Sequence, residues 1–251
     1  MKYCLIGRKL SHSWSKEVHF ALGTDYDLVE VEPDFLAEFL KNCPYTGFNV
    51  TIPYKKTLTE LLDGLDDSAK TLGAVNTVVK TNGLFIGYNT DLFGMSYMLD
   101  SAGIELKNKT VMILGSGGTS NVARYLSAVR GARDVLTVNR SGNINYENCY
   151  DFQNTEVIIN TTPVGMFPDV HEKPLEISKF SNLESVADCI YNPVKTMLLE
   201  DAEELKLKCV NGLTMLVAQA VRSEELWLGK KLPHGSIQRA LELVSIWHNE
   251  K

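Results

Sequence analysis

A chain of 251 residues is long enough for two compact domains or one large one, and 44% hydrophobic residues suffice to fill real cores. The net charge of −6 and pI near 5.4, with no Lys/Arg cluster long enough to track a polyanion, exclude a nucleic-acid partner. The five cysteines, Cys4, Cys43, Cys149, Cys189 and Cys209, include no CxxC pair and sit largely in apolar strand-like runs, which argues for free buried thiols in a reducing compartment and against a disulfide framework or a metal site.

The opening MKYCLIG lacks the long apolar region of a signal peptide, and no apolar run approaches the ~20 residues of a membrane span, so the expectation is a soluble, cytoplasmic protein with no membrane partner. Tyr3–Ile6 reads as a strand, followed by a polar, turn-prone segment from Gly7 to His12. Ser13 or Ser15 is placed to cap a helix running to about Leu22, with Glu17 in its first turns. Asp27–Val31 and Thr46–Val50 read as further strands, separated by an amphipathic helix from Pro33 to about Lys41. Pro53 suits the first turn of the next helix, whose apolar stripe is Leu58, Leu61 and Leu62. Ala74–Val79 and Leu84–Tyr88 flank Asn82-Gly83, a strong hairpin signal, so the first domain is expected to hold a mixed sheet. A helix should then run from Asp91 to about Asp100 and stop at Gly103.

The stretch TVMILGSGGTSNVARYL, residues 110–126, organises the second half of the chain. A short apolar strand leads into a turn holding Gly115, Gly117 and Gly118 and then a helix starting near Thr119, an arrangement in which close backbone approach and free helix-start amides suit a pyrophosphate. The spacing departs from G-x-G-x-x-G because Asn121 stands at the last glycine position. Strands at 134–138, 156–160, 186–190 and 206–210 continue the rhythm of a parallel sheet covered by helices, although the interval between Asn139 and Glu156 holds no apolar helical stripe and a full crossover helix is not expected there. Two amphipathic stretches, from Leu213 to about Leu228 and from Ser236 to His248, add no strand and are expected to return to the first domain. The fold class is α/β: a first domain over residues 1–102, a Rossmann-like nucleotide-binding domain over 103–212, and C-terminal helices over 213–251 packing back on the first.

The cofactor can be read from the second strand of the nucleotide unit. It ends in Asn139-Arg140-Ser141, where NAD-binding versions carry an acid for the ribose 2′-OH; an arginine there offers donors to a 2′-phosphate and favours NADP. The first domain concentrates small polar side chains at element ends, namely Ser13, Ser15, Asn49, Thr51, Asn76, Thr77, Asn89, Thr90 and Asp91, which fits a polyhydroxylated small-molecule substrate. Lys55 near a helix start and Asp91 at a strand-to-helix junction stand out as proton handlers, able to exchange a proton with a substrate hydroxyl if the fold brings them together. The two domains would then form a cleft whose closure excludes water.

The segments KLSHSWS at 9–15, NVTIPYK at 49–55, AVNT at 74–77, NTDLFG at 89–94, GSGGTS at 115–120, NRS at 139–141, NTTPVGM at 160–166, YNP at 191–193 and NGLTMLVAQA at 211–220 resemble the shikimate dehydrogenase family in its own order. The resemblance implies an NADP-dependent enzyme interconverting 3-dehydroshikimate and shikimate on the route to chorismate and aromatic amino acids, with no metal required, working as a monomer or homodimer. It implies that Ser13 and Ser15 bind the substrate carboxylate, that Thr51, Asn76 and Gln219 help to hold carboxylate and ring hydroxyls, that Tyr191 reaches the substrate, and that Lys55 and Asp91 are the catalytic pair. For the cofactor it implies Gly115, Gly117 and Gly118 around the pyrophosphate and Asn139, Arg140 and Ser141 at the 2′-phosphate. Thr161 and Met166 would lie along its path, with Gly212 and Met215 near the nicotinamide. The chain departs from the family at Arg8-Lys9, usually Asn-Pro, at Lys16, usually proline, and in a short 2′-phosphate loop with one cation. A quinate/shikimate dehydrogenase is the nearest alternative, and a nucleotide-binding sensor that lost catalysis is the alternative of a different class.

Overall fold

A computed structural model describes residues 1–11 and 13–249; His12, the end of the expected turn segment, lies outside the described residues. The chain divides into two compact units, Met1–Phe93 with Val217–Lys251, and Gly94–Leu216.

The first unit runs β1 (Tyr3–Gly7), α1 (Ser15–Ala21), β2 (Tyr26–Glu30), α2 (Leu36–Lys41), β3 (Gly47–Val50), α3 (Tyr54–Leu61), β4 (Gly64–Leu65), α4 (Asp67–Leu72), β5 (Thr77–Thr81), β6 (Leu84–Tyr88) and the start of α5 (Asp91–Ser101). Its sheet is mixed, in the order β2-β1-β3-β5-β6-β4, with β1 parallel to β2 and β3, and β5 antiparallel to β3 and β6. Alternation along β1 explains its wholly apolar sequence. Tyr3 and Leu5 join Leu10, Tyr26, Val79 and Trp227 in one core, while Cys4 and Ile6 join Phe48, Val50, Leu58 and Val78 in another.

In the second unit β7 (Thr110–Leu114), α6 (Gly118–Val129), β8 (Asp134–Val138), β9 (Val157–Asn160), β10 (Ser185–Asp188), α7 (Met197–Glu204) and β11 (Lys208–Val210) build an all-parallel sheet in the order β11-β10-β9-β7-β8. β7 thus has β8 on one side and β9 on the other, which makes its C-terminal end the switch point where open α/β sheets bind ligands. The final helices are α8 (Gly212–Leu228) and α9 (Ser236–Asn249), and the lines of division fall inside α5, after Phe93, and inside α8, after Leu216.

The expected elements differ from these in a few places. The interval after β8 holds only a 3-10 turn at Cys149–Asp151, in keeping with its missing apolar stripe. β5 starts at Thr77 instead of Ala74, because Gly73 closes α4 in the left-handed region at φ 58° and the next residues run outside the ladder. α4, capped by Asp66 accepting from the Ala69 amide at 3.1 Å, and α7, which buries Leu198, Leu199 and Ala202, carry no mark in the sequence reading; each is no more than eight residues long. The N-cap position of α1 is held by Trp14, which offers no side-chain capping bond to the helix, so neither Ser13 nor Ser15 is the N-cap; instead Ser13 Oγ accepts from the Ser15 amide at 3.2 Å in a local turn. Pro53 stands just before the first residue of α3.

Candidate active site

Register assembles the polar ends of the first sheet. β1 and β3 run in parallel, Asn49 of β3 lies opposite Thr77 of β5, and Thr77 lies opposite Tyr88 of β6. The segments after β1, β3 and β6 and the one before β5 therefore leave the sheet at one end, carrying Ser13 and Ser15, Thr51 and Lys55, Asp91, and Asn76 respectively.

Lys55 Nζ lies 2.7 Å from Asp91 Oδ2, with side-chain exposures of 26% and 6%. The other carboxylate oxygen, Oδ1, accepts from Asn76 Nδ2 at 2.9 Å. The same amide nitrogen lies 3.0 Å from Gln219 Oε1 on α8, and Asn76 Oδ1 accepts from the Thr90 amide at 2.7 Å. The cap-like bond at the start of α5 belongs to Asn89, whose Oδ1 accepts from the Asp91 amide at 3.0 Å, so the Asp91 carboxylate is free of that task. Behind this group lies a polar layer in which Thr77 and Ser223 are buried and Asn49 is half-buried. Ser223 Oγ sits 2.9 Å from Thr77 Oγ1 and from Asn49 Nδ2, and Asn49 Oδ1 accepts from the Tyr26 hydroxyl at 2.8 Å. Satisfied polar networks of this kind fix side-chain positions because any broken member leaves a buried group unpaired.

Ser13 Oγ donates to Ser15 Oγ at 3.1 Å, and both side chains are half-buried, so a pair of hydroxyls is presented beside the first turn of α1. Thr51 anchors its backbone on β1 through a 2.9 Å bond to the Ile6 carbonyl. A side chain on Gly7 would meet the Thr51 methyl at 2.6 Å.

In the second unit Gly115 adopts φ 108°, open to glycine and strained for other residues. Gly117 and Gly118 are exposed, with open space where a side chain would stand, and no side chain caps α6. This is a cradle of backbone amides at a helix start, and a dinucleotide pyrophosphate fits it. Asn139 Oδ1 accepts from the Ser141 amide at 3.1 Å, folding the loop after β8 so that Arg140 stands exposed, with no ion pair among the described residues. Thr161 follows β9, its hydroxyl bonded to the Leu114 carbonyl at 2.5 Å; Met166 is exposed and Met215 buried, and Tyr191 follows β10. The place a Gly212 side chain would take is filled by the Cys189 carbonyl, 2.0 Å from the ideal Cβ, so packing within this unit by itself requires glycine there.

The loops after β9 and β10 are tied together by Asp188, which the sequence reading missed. Its Oδ1 accepts from Asn160 Nδ2 and the Ile190 amide, each at 3.0 Å, and its Oδ2 from the Thr196 hydroxyl at 2.7 Å. Burial pushes this carboxyl up to about 6, against the pull of those three donors. Ser223, His19 and Glu224 were missed as well. Glu224 falls on the apolar stripe 213, 216, 217, 220, 221 of α8, and a charge at a core position was the available signal.

Among the described residues no helix is long and apolar enough to cross a membrane, and no group of three or more His, Cys, Asp or Glu is placed to hold a metal ion.

Residues 5–78 match the family model described as the shikimate dehydrogenase substrate binding domain, and residues 212–242 match the shikimate 5′-dehydrogenase C-terminal domain. A curated shikimate dehydrogenase (NADP(+)) from Clostridium beijerinckii is 36% identical over 99% of this chain and 98% of its own. A crystal structure of a chorismate mutase/shikimate 5-dehydrogenase fusion protein from Clostridium acetobutylicum superposes with a TM-score of 0.95 at 34% identity, over 100% of this chain and 98% of that one. The Thermus thermophilus shikimate 5-dehydrogenase in complex with NADP(H) and shikimate gives a TM-score of 0.84 at 27% identity, over 97% and 99% of the two chains. With identity of this order along almost its whole length, the chain belongs to the shikimate dehydrogenase family.

Proposed function

We propose that this protein reduces 3-dehydroshikimate to shikimate with NADPH, reversibly, in the synthesis of chorismate and the aromatic amino acids. The observation that carries the reading is the 2.7 Å Lys55–Asp91 pair, its acid locked by Asn76 and its lysine partly open to solvent.

Bound NADPH supplies the hydride for the C3 carbonyl carbon. The chain's own contribution is placement and the proton. Lys55 Nζ gives a proton to the oxygen as negative charge builds on it, and its cation stabilises that charge beforehand. Asp91 holds the lysine amine through one oxygen while the other stays on Asn76, so the pair acts on the substrate as one unit. In the direction of shikimate oxidation the same pair takes the hydroxyl proton. Ser13 and Ser15 bind the carboxylate through their adjoining hydroxyls, and Thr51, Asn76, Gln219 and Tyr191 hold the ring substituents. Gly115, Gly117 and Gly118 receive the pyrophosphate, Asn139, Arg140 and Ser141 the 2′-phosphate, and Thr161, Met166, Gly212 and Met215 the remainder of the cofactor. The unit of Met1–Phe93 with Val217–Lys251 takes the substrate and the unit of Gly94–Leu216 takes the NADP, so the expected boundaries at 102 and 212 move to 93 and 216. The five cysteines, none of them in a disulfide, fit a cytoplasmic setting, in which the chain works as a monomer or homodimer.

The test is a panel of kcat/KM values for shikimate and quinate, each with NADP+ and NAD+, followed at 340 nm. Shikimate with NADP+ is expected to be the preferred combination. A preference for quinate, or no shikimate-dependent reduction of either nucleotide, would refute the assignment.

A further inference from the structure

The chemistry above leaves one buried ionisable pair unused. His19 Nδ1 on α1 lies 2.7 Å from Glu224 Oε1 on α8, the two side chains only 2% and 1% exposed and 205 residues apart in sequence. A pair buried this deeply gives little net stability over well-packed apolar residues, since the desolvation of two polar groups offsets their attraction. Direction is what it provides: a hydrogen bond at one point fixes the place of one helix along another, whereas apolar side chains would pack and allow sliding.

What the two helices carry gives that direction a purpose. His19 follows Ser15 by four residues, one turn along the same face of α1. Glu224 lies next to Ser223 and five residues beyond Gln219 on α8. The His19 ring also stacks on Tyr26, with centroids 3.9 Å apart and planes 12° from parallel, and the Tyr26 hydroxyl passes the constraint to Asn49 and so to Thr77 and Ser223. The link therefore ties the serine-bearing helix to the polar layer under Asn76 and Asp91.

We infer that His19 and Glu224 are positioning residues that set Ser13 and Ser15 in register with Gln219, and so shape the carboxylate end of the substrate site. The inference rests on the proposed reading that these serines hold the substrate carboxylate. Loosening α1 weakens binding of substrate far more than it alters the proton pair, so the effect belongs in KM.

The experiment compares wild type with the swap His19→Phe/Glu224→Leu, which keeps the stack and the volume and removes the hydrogen bond, with Glu224→Gln, which retains an acceptor, and with Ser15→Ala. The swap is expected to raise KM for shikimate at least tenfold, with kcat within threefold and KM for NADP+ within twofold. Glu224→Gln should restore KM to within threefold of wild type. A folded swap with unchanged KM for shikimate overturns the inference, as does a rise in both KM values together. If the swap does not fold, Glu224→Ala is read by the same criteria, and failure of both to fold shows a purely structural pair, which also overturns it. Ser15→Ala separates the two levels: unchanged KM there refutes the carboxylate reading, whatever the swap does.

Discussion

Each oxygen of the Asp91 carboxylate has a separate partner, Lys55 on one side and Asn76 on the other, and that division holds a partly exposed lysine amine in one place. Both residues were legible in the sequence because a lysine at a helix start and an acid between a strand and a helix are conspicuous, and because the motifs around them occur in the family's order. Of the supporting residues, Asn49, Asn76, Thr77 and Thr90 were legible as small polar side chains at element ends, and others were not. Tyr26, Ser223 and Glu224 lie on elements whose apolar pattern announces core, and only the pairing of distant elements shows that their polar groups meet. Arg140 belongs to the same scale. With a single cation in its loop, Arg140→Ala is predicted to weaken NADPH binding at least tenfold and NADH binding less than threefold, measured by titrating the fluorescence of the reduced nucleotides; equal losses for both would remove its 2′-phosphate role.

Elements were read best where they are long and periodic. The strands of both sheets and helices α5, α6, α8 and α9 follow directly from apolar spacing, while β4, α4 and α7 are too short to show a period and depend on caps and tertiary packing. The fit between elements gives two tests. A methyl group on Gly47 of β3 would stand 2.4 Å from the Trp227 ring, which is itself held by a 2.9 Å bond from its Nε1 to the Val78 carbonyl. Gly47→Ala is therefore expected to cost about 1–3 kcal/mol in urea unfolding, and an unchanged midpoint would contradict that packing. Asp188 joins β9, β10 and α7, and its carboxyl sits at about 6 against an ordinary 3.8. With the folded value raised, the stability it lends while protonated is lost as pH rises from about 4 to above 6, in total on the order of 3 kcal/mol. Asp188→Asn stays neutral, so its stability relative to wild type should increase across that window; a difference independent of pH would show that Asp188 does not titrate there.

On the scale of the whole molecule, two sheets of different character divide the chemistry. The mixed sheet gathers hydroxyls, amides and the Lys55–Asp91 pair at one end, and the parallel sheet places a glycine turn at its switch point, where backbone amides suit phosphate. That division was visible from the sequence as a hairpin signal in one half and a strand-turn-helix rhythm in the other. The place where the chain passes between the units was harder to read, because it falls inside α5 and α8 and no turn or break in composition marks it. The account stands on proton transfer by Lys55 and Asp91, and the most direct test is the initial rate of NADPH formation from saturating shikimate and NADP+ by wild type, Lys55→Ala and Asp91→Ala, with thermal melts run alongside. Both variants are predicted to melt within a few degrees of wild type and to turn over at least ~100-fold more slowly; two folded variants working at nearly the wild-type rate would contradict the account.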